Sequence, residues 1–124
     1  MKFLLMVYTD DQLLDALPAG AFDQMMQGCI THADELKAQG TLVDSQQLEH
    51  GSTARTVRVR NGKTSIVDGP FAETKEILGG YNLIEADSID EAVKIAQEFP
   101  WIGTGSIEVR PVRDFDAVRR RVGA

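Results

Sequence analysis

Residues 53–68 read TARTVRVRNGKTSIVD, and they carry the clearest local structural signal in the chain. Asn61-Gly62 is a preferred pair for a two-residue hairpin turn, because both central residues of that turn need a positive φ. The flanking segments are rich in β-branched residues, which favour strands. We therefore predict strands over residues 53–60 and 63–68, with Arg60 opposite Lys63 and Val57 opposite Ile66.

The same register places Arg55 opposite Asp68 at the open end of the hairpin. Because strand side chains alternate with a period of two, this pair shares an apolar face with Val57, Val59 and Ile66. The other face carries Thr56, Arg58, Lys63 and Ser65 and is predicted to be solvated. The pair is either part of a binding site or an ion pair that closes the end of the core.

Two predicted helices flank the hairpin. Residues 21–39 repeat apolar side chains at helical spacing, with Gly40 as a stop signal. A second helix follows Ser88, which forms a capping box with Glu91, and it ends at Pro100; Ile89, Ala92, Val93, Ala96 and Phe99 are predicted to face inward. Further strands are predicted at residues 3–8, 41–48, 81–86 and 105–112, and a short helix from Asp114. The order β-α-β, hairpin, β-α-β predicts a single α+β domain over residues 1–124.

The first strand is apolar on both faces, with Phe3, Leu5 and Val7 on one and Leu4, Met6 and Tyr8 on the other. Two helices can cover only one face of such a sheet. The second face therefore predicts a partner, most simply a second copy of the chain in a homodimer. A C-terminal segment that folds over this face is the competing explanation.

Composition excludes several classes of protein. The net charge of −6 argues against general nucleic-acid binding, which depends on neutralising phosphates. The apolar N-terminal run is too short to cross a membrane, and Cys29 is the single cysteine, so we expect a cytoplasmic protein in a reducing compartment. The sequence has no paired His/Cys spacing for zinc and no glycine-rich nucleotide motif, so neither a metal nor a cofactor is predicted.

His32 is the candidate for proton transfer. It lies about 80° from the centre of the apolar stripe on the first long helix, at the border between core and solvent. An imidazole at such a border can act as a general acid or base, or it can be a partly exposed surface residue. His50, in a predicted loop beside Gly51, is the weaker candidate.

The run Asp68-Gly69-Pro70-Phe71-Ala72-Glu73-Thr74-Lys75-Glu76, followed by Leu78-Gly79-Gly80-Tyr81, resembles the signature of the YCII-related family, in its DGPF branch. Thr56-Val57-Arg58, Asp90-Glu91-Ala92 and residues 107–111 fit the same pattern. The resemblance spans nearly the whole chain. It implies a ferredoxin-like α+β sandwich whose sheets pack face to face as a dimeric α/β barrel.

The resemblance also implies a cleft in each protomer and a His on the first helix that works with an Asp. His32 occupies the position of that His. The narrower YciI-type pattern has its Asp before a Pro after the second helix, but here Phe99 precedes Pro100, so we assign that role to Asp68. The residues expected to bind substrate are Arg55, Gly69, Pro70, Phe71, Glu73, Lys75 and Tyr81.

Three functions remain open at this point, one of them a structural dimer without a ligand. In the first, the chain is a cofactor-free enzyme of lyase or isomerase type that uses His32-centred acid-base chemistry on a small organic molecule. In the second, the same cleft binds a ligand without catalysis and reports to a transcription partner, because related domains are associated with sigma factors. Fold alone does not decide between them.

Overall fold

A computed structural model describes residues 1–70 and 75–124 of the chain. Its strands are β1 (Lys2–Asp10), β2 (Leu42–Gln47), β3 (Arg55–Arg60), β4 (Lys63–Asp68), β5 (Glu76–Glu85) and β6 (Gly105–Pro111). Its helices are α1 (Asp11–Asp15), α2 (Ala21–Ala38), α3 (Ile89–Gln97) and α4 (Phe115–Val122), with single 3-10 turns at Gly51–Thr53 and Pro100–Gly103.

The main sheet has four strands in the order β2-β5-β1-β6, and every neighbouring pair is antiparallel. The units β1-α2-β2 and β5-α3-β6 each place their two strands on either side of a strand from the other unit. This is the ferredoxin-like arrangement, so the predicted α+β fold class is confirmed.

The core lies between the sheet and helices α2 and α3. Along β1, buried residues alternate with half-buried ones, as expected for a strand with one face under helices. The buried cluster comprises Phe3, Leu5, Val7, Cys29, Leu36, Ile84, Ala86, Ala92, Ala96, Phe99 and Trp101. The opposite face of β1 carries Leu4, Met6 and Tyr8, which are half-buried. The sheet therefore has an apolar second face, as the sequence predicted.

The hairpin forms a separate two-stranded sheet with the predicted register. Arg55 pairs with Asp68 and Arg60 with Lys63. Asn61 and Gly62 have φ values of 52° and 74°, the left-handed conformations that the turn requires. The predicted register is therefore confirmed, although the first strand begins at Arg55 and not at residue 53.

The prediction of which hairpin face is solvated is confirmed for Lys63 and Ser65, which are exposed, but it is wrong for the rest of the hairpin. Val57 and Ile66 are 64% and 67% exposed, whereas Thr56 and Arg58 on the other face are half-buried. The Thr56 hydroxyl donates a hydrogen bond of 2.8 Å to the Gly69 carbonyl. Strand alternation fixes which residues share a face, but it does not determine which face meets the rest of the protein.

Other corrections concern element boundaries. Strand β5 begins at Glu76, before the predicted start at Tyr81, and it includes Gly79-Gly80. The irregular point predicted at Gly79-Gly80 is confirmed, because Val7 pairs with Gly80 and Tyr8 with Leu78, which leaves Gly79 as an unpaired extra residue of β5. Helix α1 was not predicted. Ile89 and Val93 were predicted to face inward, but both are exposed, because the narrow contact of α3 with the sheet is filled by Ala92 and Ala96.

Candidate functional site

A cavity of about 760 Å³ lies between α2 and the helix-covered face of the sheet, near the β2-β5 edge. The apolar wall consists of Leu14, Phe22, Met26, Ile30, Phe99 and Trp101. The Phe22 and Trp101 rings lie 5.6 Å apart between centroids. Volume and lining are of the kind that holds small organic ligands.

The floor of the cavity is polar. Thr9 and Asn82 line it and are only 7% and 6% exposed. The Ser45 hydroxyl donates a 2.6 Å hydrogen bond to Asn82 Oδ1, which fixes the amide so that its two N–H groups lie on the other side. Within residues 1–70 and 75–124, no acceptor for these N–H groups is found. A buried amide donor in this position is suited to a ligand oxygen.

At one end of the cavity His50 meets two carboxylates. Its Nε2 atom lies 3.4 Å from Asp11 Oδ2 and 3.7 Å from Asp15 Oδ2. The residues of this cluster all line the cavity. Neither carboxylate has hydrogen-bond geometry to Nε2, so this nitrogen is available to exchange a proton with a ligand.

Local structure explains why these groups meet. The Asp10 side chain caps α1 by accepting the Gln12 N–H at 2.9 Å, and Asp11 and Asp15 then lie four residues apart on one helix face. The Gly51 N–H donates to Asp11 Oδ2 at 3.3 Å. A Cβ atom at Gly51 would lie 3.1 Å from that oxygen and would also crowd Ile77, so glycine permits this close approach.

Ser52 can accommodate either neutral tautomer of His50. Its N–H lies 3.2 Å from Nδ1 and can donate to it. Its hydroxyl lies 2.9 Å from Nδ1 and can accept when Nδ1 carries the proton. While Nδ1 accepts the Ser52 N–H, the neutral ring carries its proton on Nε2; Nε2 can accept a proton in the other tautomer, whose Nδ1–H donates to the Ser52 hydroxyl.

The predicted catalytic residues do not lie at this cavity. His32 is half-buried between α2 and the end of α3, where Nε2 lies 3.3 Å from Glu98 Oε2 and the ring packs edge-on against Phe99. Asp68 binds Arg55 at 2.5 Å, and their side chains are 84% and 65% exposed. The ion pair is therefore exposed to solvent and does not seal the end of the core. Asp68 is paired with Arg55, whereas His32 lies beside Glu98 and Phe99.

The predicted substrate-binding residues are also dispersed. Tyr81 is the only member of that set along the described cavity wall. Its hydroxyl donates to Asp44 Oδ2 at 2.7 Å, and this hydrogen bond raises the pKa of Tyr81. Gly69 is half-buried and donates its N–H to the Ala54 carbonyl, whereas Pro70 and Lys75 are exposed. Phe71 and Glu73 lie outside the described residues.

Cys29 also lines the cavity, and burial raises the pKa of its thiol from 9.0 to about 11, with hydrogen bonding to Trp101 as a smaller opposing effect. We therefore predict a thiol that is not a nucleophile at neutral pH. A coloured disulfide reagent should leave the native protein unmodified and react with it once it is unfolded. Rapid labelling of the native protein would contradict this prediction.

The raised pKa of Cys29 also makes the free energy of unfolding depend on pH. Between pH 9 and 11 the unfolded state loses the Cys29 proton while the folded state keeps it, so the free energy of unfolding falls by up to about 1.4 kcal/mol per pH unit. Urea titrations of wild type and Cys29→Ala should converge as the pH rises through this range. Parallel curves for the two proteins would contradict the burial of an un-ionised thiol.

No group of three His, Cys, Asp or Glu side chains in residues 1–70 and 75–124 is arranged to hold a metal ion. In the same part of the chain, none of the helices has the length and apolar character needed to cross a membrane.

The model of the YCII-related domain matches residues 1–116. The chain belongs to the YCII-related family. An uncharacterized protein of Rhizobium meliloti (strain 1021) is 33% identical over 114 residues, which is 90% of this chain and 92% of that protein. Among solved structures, 5-chloro-2-hydroxyhydroquinone dehydrochlorinase from Burkholderia phenoliruptrix AC1100, in complex with 2,5-dihydroxybenzoquinone, aligns with 91% of this chain and 94% of its own. Its TM-score is 0.46 and its sequence identity 15%.

Proposed function

We propose that this YCII-related protein binds a small organic molecule in the cavity and performs cofactor-free acid-base chemistry on it, of lyase or isomerase type. The observation that carries the proposal is the position of His50 Nε2, beside Asp11 and Asp15 at the cavity wall. In this proposal His50 takes the proton-transfer role that the sequence assigned to His32.

The proposed step is a proton transfer from a ligand C–H or O–H group to Nε2 of His50. The resulting imidazolium has Asp11 Oδ2 at 3.4 Å and Asp15 Oδ2 at 3.7 Å from Nε2. Negative charge that develops on a ligand oxygen is stabilised by the Asn82 amide N–H and the Thr9 hydroxyl on the cavity floor. His50 thus takes up the proton, and Asn82 and Thr9 stabilise the negative charge that remains on the ligand.

A hydrogen-exchange screen tests this function. Small ketones, lactones and phenols are incubated with the protein in D2O, and loss of C–H signals is followed by proton NMR. We expect at least one compound to exchange faster with wild type than with Asn82→Ala. A compound that saturably changes Trp101 fluorescence but never exchanges would contradict catalysis and favour the ligand-binding module.

We also propose a homodimer joined through the second face of the sheet. This face presents Leu4, Met6 and Leu83 in register across the central strands. The hairpin adds an exposed apolar surface with Val57 and Ile66. Contiguous apolar surfaces of this kind are typical of protein interfaces.

Leu83→Lys is predicted to dissociate this dimer. In the single chain the new ammonium group lies beside Asp44, the strand partner of Leu83, so the fold tolerates it. In the dimer the same group would be buried without a partner. Light scattering after gel filtration should give about twice 13.6 kDa for wild type and about 13.6 kDa for the variant.

Leu13→Lys is the matched control, because Leu13 is exposed on α1, away from the sheet. It should remain dimeric. Circular dichroism establishes that both variants are folded. A folded Leu83→Lys protein that still has the mass of a dimer would contradict this interface.

A further inference from the structure

The charges around the cavity are all of one sign. Asp11, Asp15 and Glu49 contribute carboxylates to its lining. Among the lining residues that the structure describes, there is no Lys or Arg; His50 is the one group there that can become cationic. A ligand carboxylate or phosphate at this end of the cavity would therefore be desolvated beside like charges.

The polar floor shows that the cavity is more than an acidic surface cluster. Asn82 and Thr9 are more than nine-tenths buried and line its interior. The hydrogen bond from Ser45 occupies Asn82 Oδ1 but leaves the amide N–H groups for a ligand. A ligand in the cavity therefore meets the Asn82 amide at one end and the carboxylates of the protein at the other.

The walls between these ends are apolar and partly aromatic. The tilted Phe22 and Trp101 rings, with Met26 and Ile30, give a surface that accepts a compact ring or branched chain. Aromatic faces also attract cations that lie over them. Every part of the described lining is thus compatible with an organic cation.

We propose that the cavity selects a compact apolar molecule carrying an amine and discriminates against carboxylates, with Asp11 and Asp15 beside the ammonium group. This inference rests on the proposed function for the location of the site and adds the class of ligand. Both an ammonium and an alcohol can donate hydrogen bonds to these carboxylates, but only the ammonium adds the attraction between opposite charges, which corresponds to about a tenfold difference in affinity.

Trp101 is the single tryptophan of the chain, and it lines the cavity, so its fluorescence reports occupancy directly. The probes are cyclohexylmethylamine, cyclohexylmethanol and cyclohexanecarboxylate, which have similar shapes and no fluorescence. We expect the amine to bind about tenfold more tightly than the alcohol, and the carboxylate more weakly than either. The advantage of the amine should shrink as salt is added.

Asp15→Asn should remove most of the amine's advantage and leave the affinity for the alcohol unchanged. Asp15 suits this test because its side chain is largely exposed and its loss should not unfold the protein. Asp23→Asn, in the first turn of α2 and away from the described lining, is the matched control and should retain the preference.

Carboxylate binding as tight as amine binding would overturn the inference. Equal binding of amine and alcohol would also overturn it, while leaving the cavity as the proposed site. If none of the three probes changes Trp101 fluorescence, amine selection is wrong, and the hydrogen-exchange screen still decides the proposed function independently. A preference for the amine that survives Asp15→Asn and high salt would contradict the assigned carboxylates.

Discussion

Replacing His50 with Gln is expected to lower the rate of proton exchange on a substrate of this protein by about 10²- to 10⁴-fold, the usual contribution of a general acid or base. Glutamine keeps a polar side chain of similar length but cannot take up a proton. Substrate binding should change little, because the apolar wall and Asn82 are untouched. The measurement is the NMR exchange rate at saturating compound, compared with wild type.

His32→Gln is the matched control. His32 packs against Phe99 and Glu98 and does not line the described cavity, so this variant should keep most of the exchange activity. Loss of activity in His32→Gln together with full activity in His50→Gln would restore His32 as the proton-transfer group. Loss in both variants, with both folded, would indicate that the two histidines act together.

The second large effect is expected in the core. Leu5 is 0% exposed at the centre of β1, beneath the helices. Leu5→Ala removes buried apolar volume and leaves a cavity, which should lower the free energy of unfolding by about 2–5 kcal/mol. For a small domain this is a large part of the total stability. Urea unfolding monitored by Trp101 fluorescence gives the value.

Leu13→Ala carries the same substitution at an exposed site on α1. Alanine is a good helix former, so the cost should stay below about 1 kcal/mol. Similar costs for the two variants would contradict the assignment of the core to the helix-covered face of β1.

Much of the fold follows from local rules. Asn61-Gly62 fixed the hairpin register, because a two-residue turn allows only one pairing of the flanking strands. The Ser88 cap is also confirmed, since its side chain accepts the Glu91 N–H at 3.2 Å. The Glu91 carboxylate accepts from Asp87 N–H instead of Ser88 N–H, so the reciprocal half of the capping box is shifted by one residue.

The remaining features of the fold depend on tertiary arrangement, which local sequence patterns do not determine. Whether the Val57 face of the hairpin or its Thr56 face meets the rest of the protein depends on how the hairpin is attached, which the alternation of side chains does not contain. The part of β5 before Tyr81 was missed because glycine is rare in strands, although Gly79-Gly80 is irregular as predicted. In β5, Gly79 is the extra residue of a bulge opposite Val7 and Tyr8, and a Cβ atom there would lie 2.9 Å from the Thr9 hydroxyl oxygen.

The candidate site was harder to predict because its groups come from distant parts of the chain. His50 and Asp11 are separated by 39 residues, and the loop after β2 brings them together. The sequence features that could have identified this site are the four-residue spacing of Asp11 and Asp15 after the first strand and the position of Gly51 next to His50. Helical periodicity correctly placed His32 at the border between the apolar and the solvent-facing sides of α2. A helix has two such borders, and the one that carries His32 faces the end of α3 and not the cavity.

The most direct test of the central claim is a nitrogen-15 NMR titration of the protein with the compound that the exchange screen identifies. The side-chain N–H signals of Trp101 and Asn82 and the ring nitrogens of both histidines are resolved by type. We predict saturable shifts of Trp101, Asn82 and His50 with one common affinity, and little change at His32. Shifts confined to His32 and the Arg55 guanidinium, with Asn82 and Trp101 unaffected, would contradict the cavity as the functional site.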